Sequence, residues 1–244
     1  MAEMNDKSVS IKNIAIILSG GIGKRFGHNI PKQFIEIAGK PVIAHTVDVF
    51  EKNAHIDEIA IVTHEDYISE IENIVCKHNW QKVKKILKGG KERYESSLSA
   101  INAYQQFSQY NLILHDAVRP LVSDRIINDV VHALEQYNAV TVAIPCIDTI
   151  YQVDEYQQFI KDIPQRSCLF RAQTPQAFKA ATIQKAYQQA LEDPDFTSTD
   201  DCGAVTKYLP DEKIFVVRGE EYNMKLTCKE DIYMFEKLLH TIKS

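Results

Sequence analysis

A glycine-rich segment with cationic side chains follows the first apolar run of the chain. Residues 14–18 are apolar, and residues 19–27 read Ser-Gly-Gly-Ile-Gly-Lys-Arg-Phe-Gly, with Lys24 and Arg25 among four glycines. Lys32 follows a few residues later. Glycines let the backbone turn tightly and point several N–H groups at one anion. The segment therefore indicates a cradle for a phosphate chain.

Two known nucleotide-binding patterns do not fit this segment. A dinucleotide fingerprint needs G-x-G-x-x-G, and here the third glycine, Gly27, comes one residue late. A Walker loop needs a glycine five positions before Gly23 and a Ser or Thr after the lysine, where this chain has Leu18 and Arg25. The glycines by themselves are also compatible with a turn that binds no ligand. Three crowded cations repel one another without an anion, which favours the phosphate cradle.

One acidic residue stands where a ligand site is expected. Asp116 comes directly after the apolar run 112–115. If that run is a strand of a parallel sheet, the carboxylate lies at the carboxyl edge, where open α/β sheets bind ligands.

The elements that position these residues follow an alternating pattern. Short apolar runs at 14–18, 59–63, 112–115 and 140–145 predict strands buried on both faces. Helical periodicity predicts helices over 41–53, 64–78, 94–107 and 123–137, the last with Ser123 or Asp124 as N-cap. A helix at 182–191, a strand at 214–217 and a helix at 229–242 complete the pattern. The prediction is a single domain over 11–244 with a doubly wound, mostly parallel α/β sheet, preceded by a polar tail at 1–10.

Residues 146–170 interrupt this alternation. Two short alternating stretches flank a polar turn, which predicts a β-hairpin arm that projects from the domain. Such an arm has too little core to stand alone. We therefore expect it to pack on a second subunit, in a homodimer.

Composition excludes several classes of protein. The chain has 244 residues and a formal net charge of −5, which argues against a nucleic-acid or membrane partner. Its five cysteines form no C-x-x-C pair, which argues against a disulfide framework or a zinc site. No signal peptide is visible and no apolar run approaches the length of a membrane helix. The expectation is a soluble cytoplasmic protein.

Six ordered motifs between residues 14 and 231 resemble those of the cytidylyltransferases of sugar and polyol phosphates. They are G-G-x-G-x-R-x-G with P-K-Q-F at 20–34, Gly-Gly-Lys-Glu-Arg at 89–93, His-Asp-Ala-Val-Arg-Pro at 115–120, Gln-Thr-Pro-Gln at 173–176, Thr-Asp at 199–200 and Asn-Met-Lys-Leu-Thr at 223–227. Enzymes acting on methylerythritol phosphate and on ribitol phosphate belong to this group. The resemblance implies a Rossmann-like nucleotidyltransferase fold.

The resemblance also implies a role for individual residues. The catalytic residues would be Arg25, Lys32, Lys225 and Asp116, with Asp116 beside Mg²⁺ as well. CTP would be bound by Ser19, Gly20, Gly21, Ile22, Gly23, Gly89, Gly90, Arg93, Ser96 and Ala117. The acceptor phosphate and polyol would be held by Arg119, Asp148, Thr149, Arg166, Thr174 and Thr199, three of them from the partner's arm.

Some of these residues have a purely structural alternative. Arg93 can pair with Glu92 or Glu95 on a helix face. Asp148 can anchor the turn of the arm, and Arg166 can be a solvated charge.

The motifs favour one acceptor over another. Methylerythritol enzymes usually carry Ala-Ala-Gly where this chain has Ser19-Gly20-Gly21, and the stretch 162–164 and Gln173 are closer to the ribitol enzymes. We therefore expect transfer of CMP from CTP to ribitol 5-phosphate, with methylerythritol phosphate as the second candidate. A non-catalytic nucleotide-binding module is the third, and the presence of Lys32, Asp116 and Lys225 argues against it.

Overall fold

The structure is a computed structural model that describes residues 11–21, 30–106 and 109–243. In this part the chain forms eleven strands and seven α-helices. The strands are β1 (Lys12–Ser19), β2 (Glu36–Ile37), β3 (Lys40–Pro41), β4 (Glu58–Thr63), β5 (Val83–Lys88), β6 (Tyr110–Asp116), β7 (Ala139–Pro145), β8 (Gln152–Val153), β9 (Ile160–Asp162), β10 (Phe170–Lys179) and β11 (Ile214–Arg218). The helices are α1 (Val42–Lys52), α2 (Ile68–His78), α3 (Arg93–Ala103), α4 (Asp124–Gln136), α5 (Ala180–Ala190), α6 (Asp201–Tyr208) and α7 (Glu230–Lys243).

Seven strands form the central sheet, in the order β11-β7-β10-β6-β1-β4-β5. Strand β1 pairs in parallel with both β4 and β6, and β10 runs antiparallel between β6 and β7. The carboxyl ends of β1, β4 and β6 therefore meet at one edge of the sheet. The prediction of a mostly parallel sheet is confirmed.

Helices cover both faces of this sheet, which confirms the doubly wound prediction. On one face, α1, α2 and α4 pack against alternate strand residues such as Ile17 and Ile113. On the other face, α3, α5 and α6 pack against the intervening residues, such as Ile16 and Leu112. Strands buried on both faces explain why the predicted runs are continuously apolar.

A third, smaller core fixes the end of the chain. Phe235 and Leu239 of α7 pack with Ile37 of β2 and with Leu226, all of them buried. This core holds the loop before α7 against the body of the protein. It matters for function because that loop carries Lys225.

The predicted elements largely coincide with the observed ones, with five omissions and two helices that are too long. The helix predicted over 94–107 ends at Ala103, and the one predicted over 64–78 begins at Ile68. The short strands β2 and β3, strands β5 and β10 and helix α6 were not predicted. Strand β10 contains Pro175, which argues against a central strand; the pairing of β10 with β7 shifts register between Gln173 and Gln176, so the missing N–H lies at an irregularity of the ladder.

Two local predictions are confirmed. The hydroxyl of Ser123 accepts a hydrogen bond from the N–H of Ile126 at 3.3 Å, as the N-cap of α4. Strands β8 and β9 form an antiparallel pair separate from the central sheet, in the segment predicted to be an arm. Among the described helices, none combines the length and apolar character needed to cross a lipid bilayer.

Candidate active site

A cavity of about 260 Å³ opens at the carboxyl edge of β1 and β6. Its walls come from the ends of these strands, the start of α3 and the loop before α7. The lining residues are Leu18, Ser19, Gly20, Gly21, Lys32, Gln33, Gly90, Lys91, Glu92, Arg93, Ser96, Asp116, Ala117, Val118, Lys225 and Leu226. Most of the described residues that were predicted to bind the nucleotide therefore meet in one place.

Asp116 is the carboxylate of this cavity, and it is surrounded by cations. Its Oδ2 lies 2.9 Å from Lys225 Nζ and 3.4 Å from Arg119 Nε. Burial alone would raise the pKa of Asp116, but the charges of Lys225, Arg93 and Arg119 outweigh it and lower the pKa to about 2. The carboxylate is therefore ionised at any physiological pH.

Polar contacts of Gln33 and Lys32 hold the first loop and connect it to the loop before α7. Gln33, only 3% exposed, donates from Nε2 to the carbonyl oxygens of Ser19 at 2.8 Å and Gly21 at 3.2 Å. Lys32 donates from Nζ to the carbonyl oxygen of Thr227 at 2.8 Å. The loop after β1 and the loop before α7 are thus linked across the cavity.

Ser96 is enclosed by three glycines. Its Oγ accepts from the N–H of Gly90 at 3.3 Å. A Cβ added to Gly20 or Gly89 would lie 2.9 or 2.8 Å from this Oγ, closer than real Cβ atoms come. The backbone at positions 20 and 89 therefore approaches Ser96 so closely that there is little room for a side chain at either position.

The partner of Arg93 is different from either residue proposed from the sequence. Arg93 Nη1 lies 2.8 Å from Oδ2 of Asp201, which is fully buried and accepts from Tyr187 OH through Oδ1 at 2.6 Å. Burial would lower the pKa of Arg93, but Asp201 and Asp116 raise it. The carboxylate of Glu95 instead accepts from the N–H of Glu92 at the start of α3. Pairing of Arg93 with Glu92 or Glu95 was therefore wrong, and the cation is a fixed part of the cavity wall.

His115 lies behind the carboxylate and is fully buried. Thr174 Oγ1 accepts from the N–H of Asp116 at 3.1 Å, and it lies 2.9 Å from His115 Nδ1. His115 Nε2 lies 3.1 Å from the carbonyl oxygen of Arg119. A carbonyl only accepts, so Nε2 carries the proton and Nδ1 accepts from the Thr174 hydroxyl. Burial lowers the pKa of His115 to about 4, so the ring is neutral at pH 7.

Comparison with known proteins identifies the family. A family model described as "IspD: 2-C-methyl-D-erythritol 4-phosphate cytidylyltransferase" matches residues 13–241. The chain belongs to the IspD family of cytidylyltransferases. The recognition made from the motifs is confirmed, and the protein is a nucleotidyltransferase.

Relatives of this IspD-family chain carry two kinds of name. The "Bifunctional ribulose 5-phosphate reductase/CDP-ribitol pyrophosphorylase Bcs1" of Haemophilus influenzae is 46% identical over 94% of this chain, which spans 48% of that protein. A 2-C-methyl-D-erythritol 4-phosphate cytidylyltransferase of Thermobifida fusca is 40% identical over 93% of both chains. A ribitol-5-phosphate cytidylyltransferase of Vibrio parahaemolyticus is 34% identical over 94% of this chain and 96% of its own.

A solved structure in the same family has the same fold. The 4-diphosphocytidyl-2C-methyl-D-erythritol synthase of Anaerococcus prevotii superposes with a TM-score of 0.82. Its sequence is 29% identical, over 94% of this chain and 99% of that one.

The predicted acceptor residues of the IspD-family site are more dispersed than the nucleotide residues. Arg119 and Thr174 lie behind Asp116, whereas Thr199 is exposed on the loop before α6. Asp148, Thr149 and Arg166 are exposed on the arm and do not line the cavity of their own chain. Ile22, Gly23 and Arg25 lie outside the described residues.

Five buried polar residues of the site were given no role from the sequence. They are Gln33, His115, Gln173, Asp201 and Asn223. All of them stand inside or directly beside recognised motifs, and that position was the available signal. The pairing of Asp201 with Arg93 had no local signal, because the two residues lie more than a hundred positions apart in the chain.

The neutral His115 predicts a pH dependence of folding. Its pKa is lowered from 6.5 to about 4 on folding, so its contribution to stability is complete above pH 6.5 and is lost as the pH falls toward 4. Between pH 7 and pH 5 this loss amounts to about 2 kcal/mol. Urea unfolding at both pH values measures it, and His115→Gln should show a smaller difference than wild type.

The exposed His132 is the matched control for this measurement. His132→Gln should keep the wild-type difference between pH 7 and pH 5. An equal difference in His115→Gln and wild type would show that His115 is not held neutral by the fold.

Proposed function

We propose that this protein transfers the cytidylyl group of CTP to D-ribitol 5-phosphate, giving CDP-ribitol and pyrophosphate. The observation that carries the proposal is the ionised Asp116 with Lys225, Arg119 and Arg93 around it, in a cavity walled by a glycine-rich strand end. This arrangement suits two polyanionic reactants that must approach each other.

The choice of acceptor rests on the first loop and on the named relatives. Ser19-Gly20-Gly21 is the form that favours the ribitol enzymes, and the relatives from Haemophilus influenzae and Vibrio parahaemolyticus are named for CDP-ribitol and ribitol 5-phosphate. The second candidate is 2-C-methyl-D-erythritol 4-phosphate, which the family description and the Thermobifida fusca relative favour.

The reaction proposed here needs no strong general base. An oxygen of the acceptor phosphate, already anionic at neutral pH, attacks the α-phosphorus of CTP, and the bond to the β,γ-pyrophosphate breaks with its electron pair on the leaving group. Lys225 and Arg119 orient the acceptor phosphate, while Lys32 and Arg25 neutralise the triphosphate. Catalysis is then alignment together with stabilisation of charge that builds on the α-phosphate.

Asp116 is the residue we propose to hold Mg²⁺. In the described residues, no group of three or more acidic, His or Cys side chains could bind a metal by itself. Mg²⁺ keeps several waters and binds through one or two carboxylates plus substrate phosphates, so a single ionised carboxylate fits it. The ion would offset phosphate charge when the nucleotide is bound.

The arm is the part of the protein that we propose to contact a second copy. Its exposed apolar side chains include Ile147, Tyr151, Tyr156, Phe159, Ile160 and Ile163, with Tyr156 73% and Phe159 70% exposed. Such a concentration of exposed apolar side chains marks an interaction surface. In a dimer, Asp148, Thr149 and Arg166 would reach the cavity of the partner, where they would complete the acceptor site.

Pyrophosphate release tests the acceptor. The purified protein with Mg²⁺ and CTP is expected to release pyrophosphate with ribitol 5-phosphate and not with methylerythritol phosphate, because its first loop is of the ribitol type. Release with methylerythritol phosphate alone would establish the second candidate. Release with neither would refute both acceptors and favour a nucleotide-binding module.

Removal of one cation tests the electrostatic mechanism. Lys225→Ala should lower kcat on the order of 10²–10³-fold, because a preorganised charge aimed at the transition state contributes about 2–4 kcal/mol. Steady-state kinetics measures the change. The exposed Lys229, four residues further on, gives the control variant Lys229→Ala, for which kcat should stay at the wild-type value. Equal kcat in the two variants would contradict the role of Lys225.

A charge placed on the arm tests the proposed dimer. In the proposed dimer the side chain at position 159 is buried, so Phe159→Asp would place a carboxylate in the interface, which is costly in free energy. The variant should therefore be a monomer with reduced turnover. Light scattering gives the mass. Tyr233→Asp, at an exposed aromatic of α7, is the control and should remain dimeric. A wild-type mass of one subunit would rule out this role for the arm.

A further inference from the structure

The loop that carries Lys225 lacks secondary structure of its own. Residues 219–229, between β11 and α7, contain no strand or helix. The Lys225 side chain is 44% exposed, so packing does not fix it. The place of its ammonium group beside Asp116 therefore depends on the contacts that hold this loop.

Two buried amide side chains hold the loop to β10. Asn223, fully buried, donates from Nδ2 to the carbonyl oxygen of Thr174 at 2.7 Å and lies 3.3 Å from Gln173 Oε1. Gln173, 5% exposed, donates from Nε2 to the carbonyl oxygen of Glu220 at 2.8 Å. We name this pair, Gln173 and Asn223, the amide latch.

The residue at the start of the loop leaves room for the latch. A Cβ added to Gly219 would lie 2.3 Å from Oε1 of Gln173 and 3.0 Å from a methyl group of Val142. A side chain at position 219 would therefore displace the Gln173 amide. The amide latch therefore needs glycine at position 219 as well as asparagine at position 223.

The latch reaches both cations that contact Asp116. The carbonyl oxygen of Asn223 accepts from Arg119 Nη1 at 2.8 Å. On the far side of Lys225, the N–H of Leu226 donates to the carbonyl oxygen of Val118 at 2.9 Å. The backbone is therefore fixed on both sides of Lys225, and the Arg119 guanidinium is held in place by the same residue.

We propose that Asn223 is a positioning residue for cytidylyl transfer, which acts by holding Lys225 and Arg119 in register with Asp116. Asn223 itself touches no reacting atom. The inference rests on cytidylyl transfer by this family and does not depend on which polyol phosphate is the acceptor.

The first test compares two buried asparagines in different parts of the protein. Asn223→Ala should lower kcat roughly 10–100-fold, because a shift of about 1 Å in a positioning group can cost that much. The KM for CTP should change less than kcat, since the loop before α7 forms only one wall of the cavity and the ends of β1 and β6 and the start of α3 form the others. Asn111→Ala is the control, because Asn111 is 6% exposed, donates to Asn13 Oδ1 at 2.8 Å and lies at the opposite end of β6 from Asp116. Asn111→Ala should lower the melting temperature about as much as Asn223→Ala does, but its kcat should remain at the wild-type value.

The second test separates positioning from a general structural role. If Asn223 acts through Lys225, then Asn223→Ala in a Lys225→Ala background should reduce kcat much less than it does in wild type. Equal fold-losses in the two backgrounds, or an equal loss of kcat in Asn111→Ala, would overturn the proposal. If Asn223→Ala does not fold, Gln173→Ala replaces it in the same double-mutant comparison with Lys225→Ala. An unchanged kcat in Gln173→Ala would also overturn the proposal.

These outcomes are distinct from failure of the proposed acceptor. The assay uses the polyol phosphate that the wild-type protein turns over. A wild type that releases no pyrophosphate with either phosphate counts against the proposed function. If the wild type turns over normally and Asn223→Ala lowers kcat by the same factor with and without Lys225→Ala, only the role of the amide latch is refuted.

Discussion

The pairing of one buried carboxylate with several cations is the constraint on which the site depends. Asp116 is 7% exposed and ionised, and such a group is costly to bury unless it is paired and hydrogen-bonded. Lys225 and Arg93 supply opposite charge from distant parts of the chain, and Arg119 supplies it from three residues beyond Asp116. The fold must therefore bring two distant segments to the end of β6. Lys225 and Arg93, which line the cavity, then face any polyanion that enters it.

Neutral polar groups behind the charges keep that arrangement rigid. His115 and Thr174 hold the backbone of Asp116 and Arg119, and the amides of Gln173 and Asn223 hold the loop of Lys225. Because these groups are uncharged, they fix geometry without cancelling the positive potential of the cavity. Preorganisation of this kind contributes to catalysis because little reorganisation is needed when the reaction occurs.

The sequence was informative wherever local pattern decided the structure. The continuous apolar runs predicted β1, β4, β6 and β7, and the position of Asp116 after one of them predicted a ligand site at the carboxyl edge. Strand β10 was missed because Pro175 argues locally against a strand, while the tertiary register accommodates it at an irregularity. The predicted partners of Arg93 were wrong because they were taken from its neighbours in the sequence, Glu92 and Glu95, whereas the fold provides the fully buried Asp201. Residues one or two positions apart do not face each other on a helix. Burial of a carboxylate at the start of α6 is decided by the packing of α6 on α5, which local pattern does not encode.

The geometry of the cavity separates the residues predicted to bind the nucleotide from most of those predicted to bind the acceptor. The residues that line the cavity come from one chain, from segments whose motifs resemble those of the cytidylyltransferases. Four of the six predicted acceptor residues lie elsewhere: Thr199 is on an exposed loop, and Asp148, Thr149 and Arg166 are exposed on the arm. Ribitol 5-phosphate and methylerythritol phosphate are both small polyol phosphates, so only a few contacts with the polyol need to differ. Exposed segments accept such substitutions at little cost in stability, whereas a change near Asp116 disturbs the balance of buried charge. Under the proposed function, the acceptor can therefore change within this fold while the cytidylyl-transfer site stays the same. Sequence identity to a relative is then a better guide to the reaction than to the acceptor.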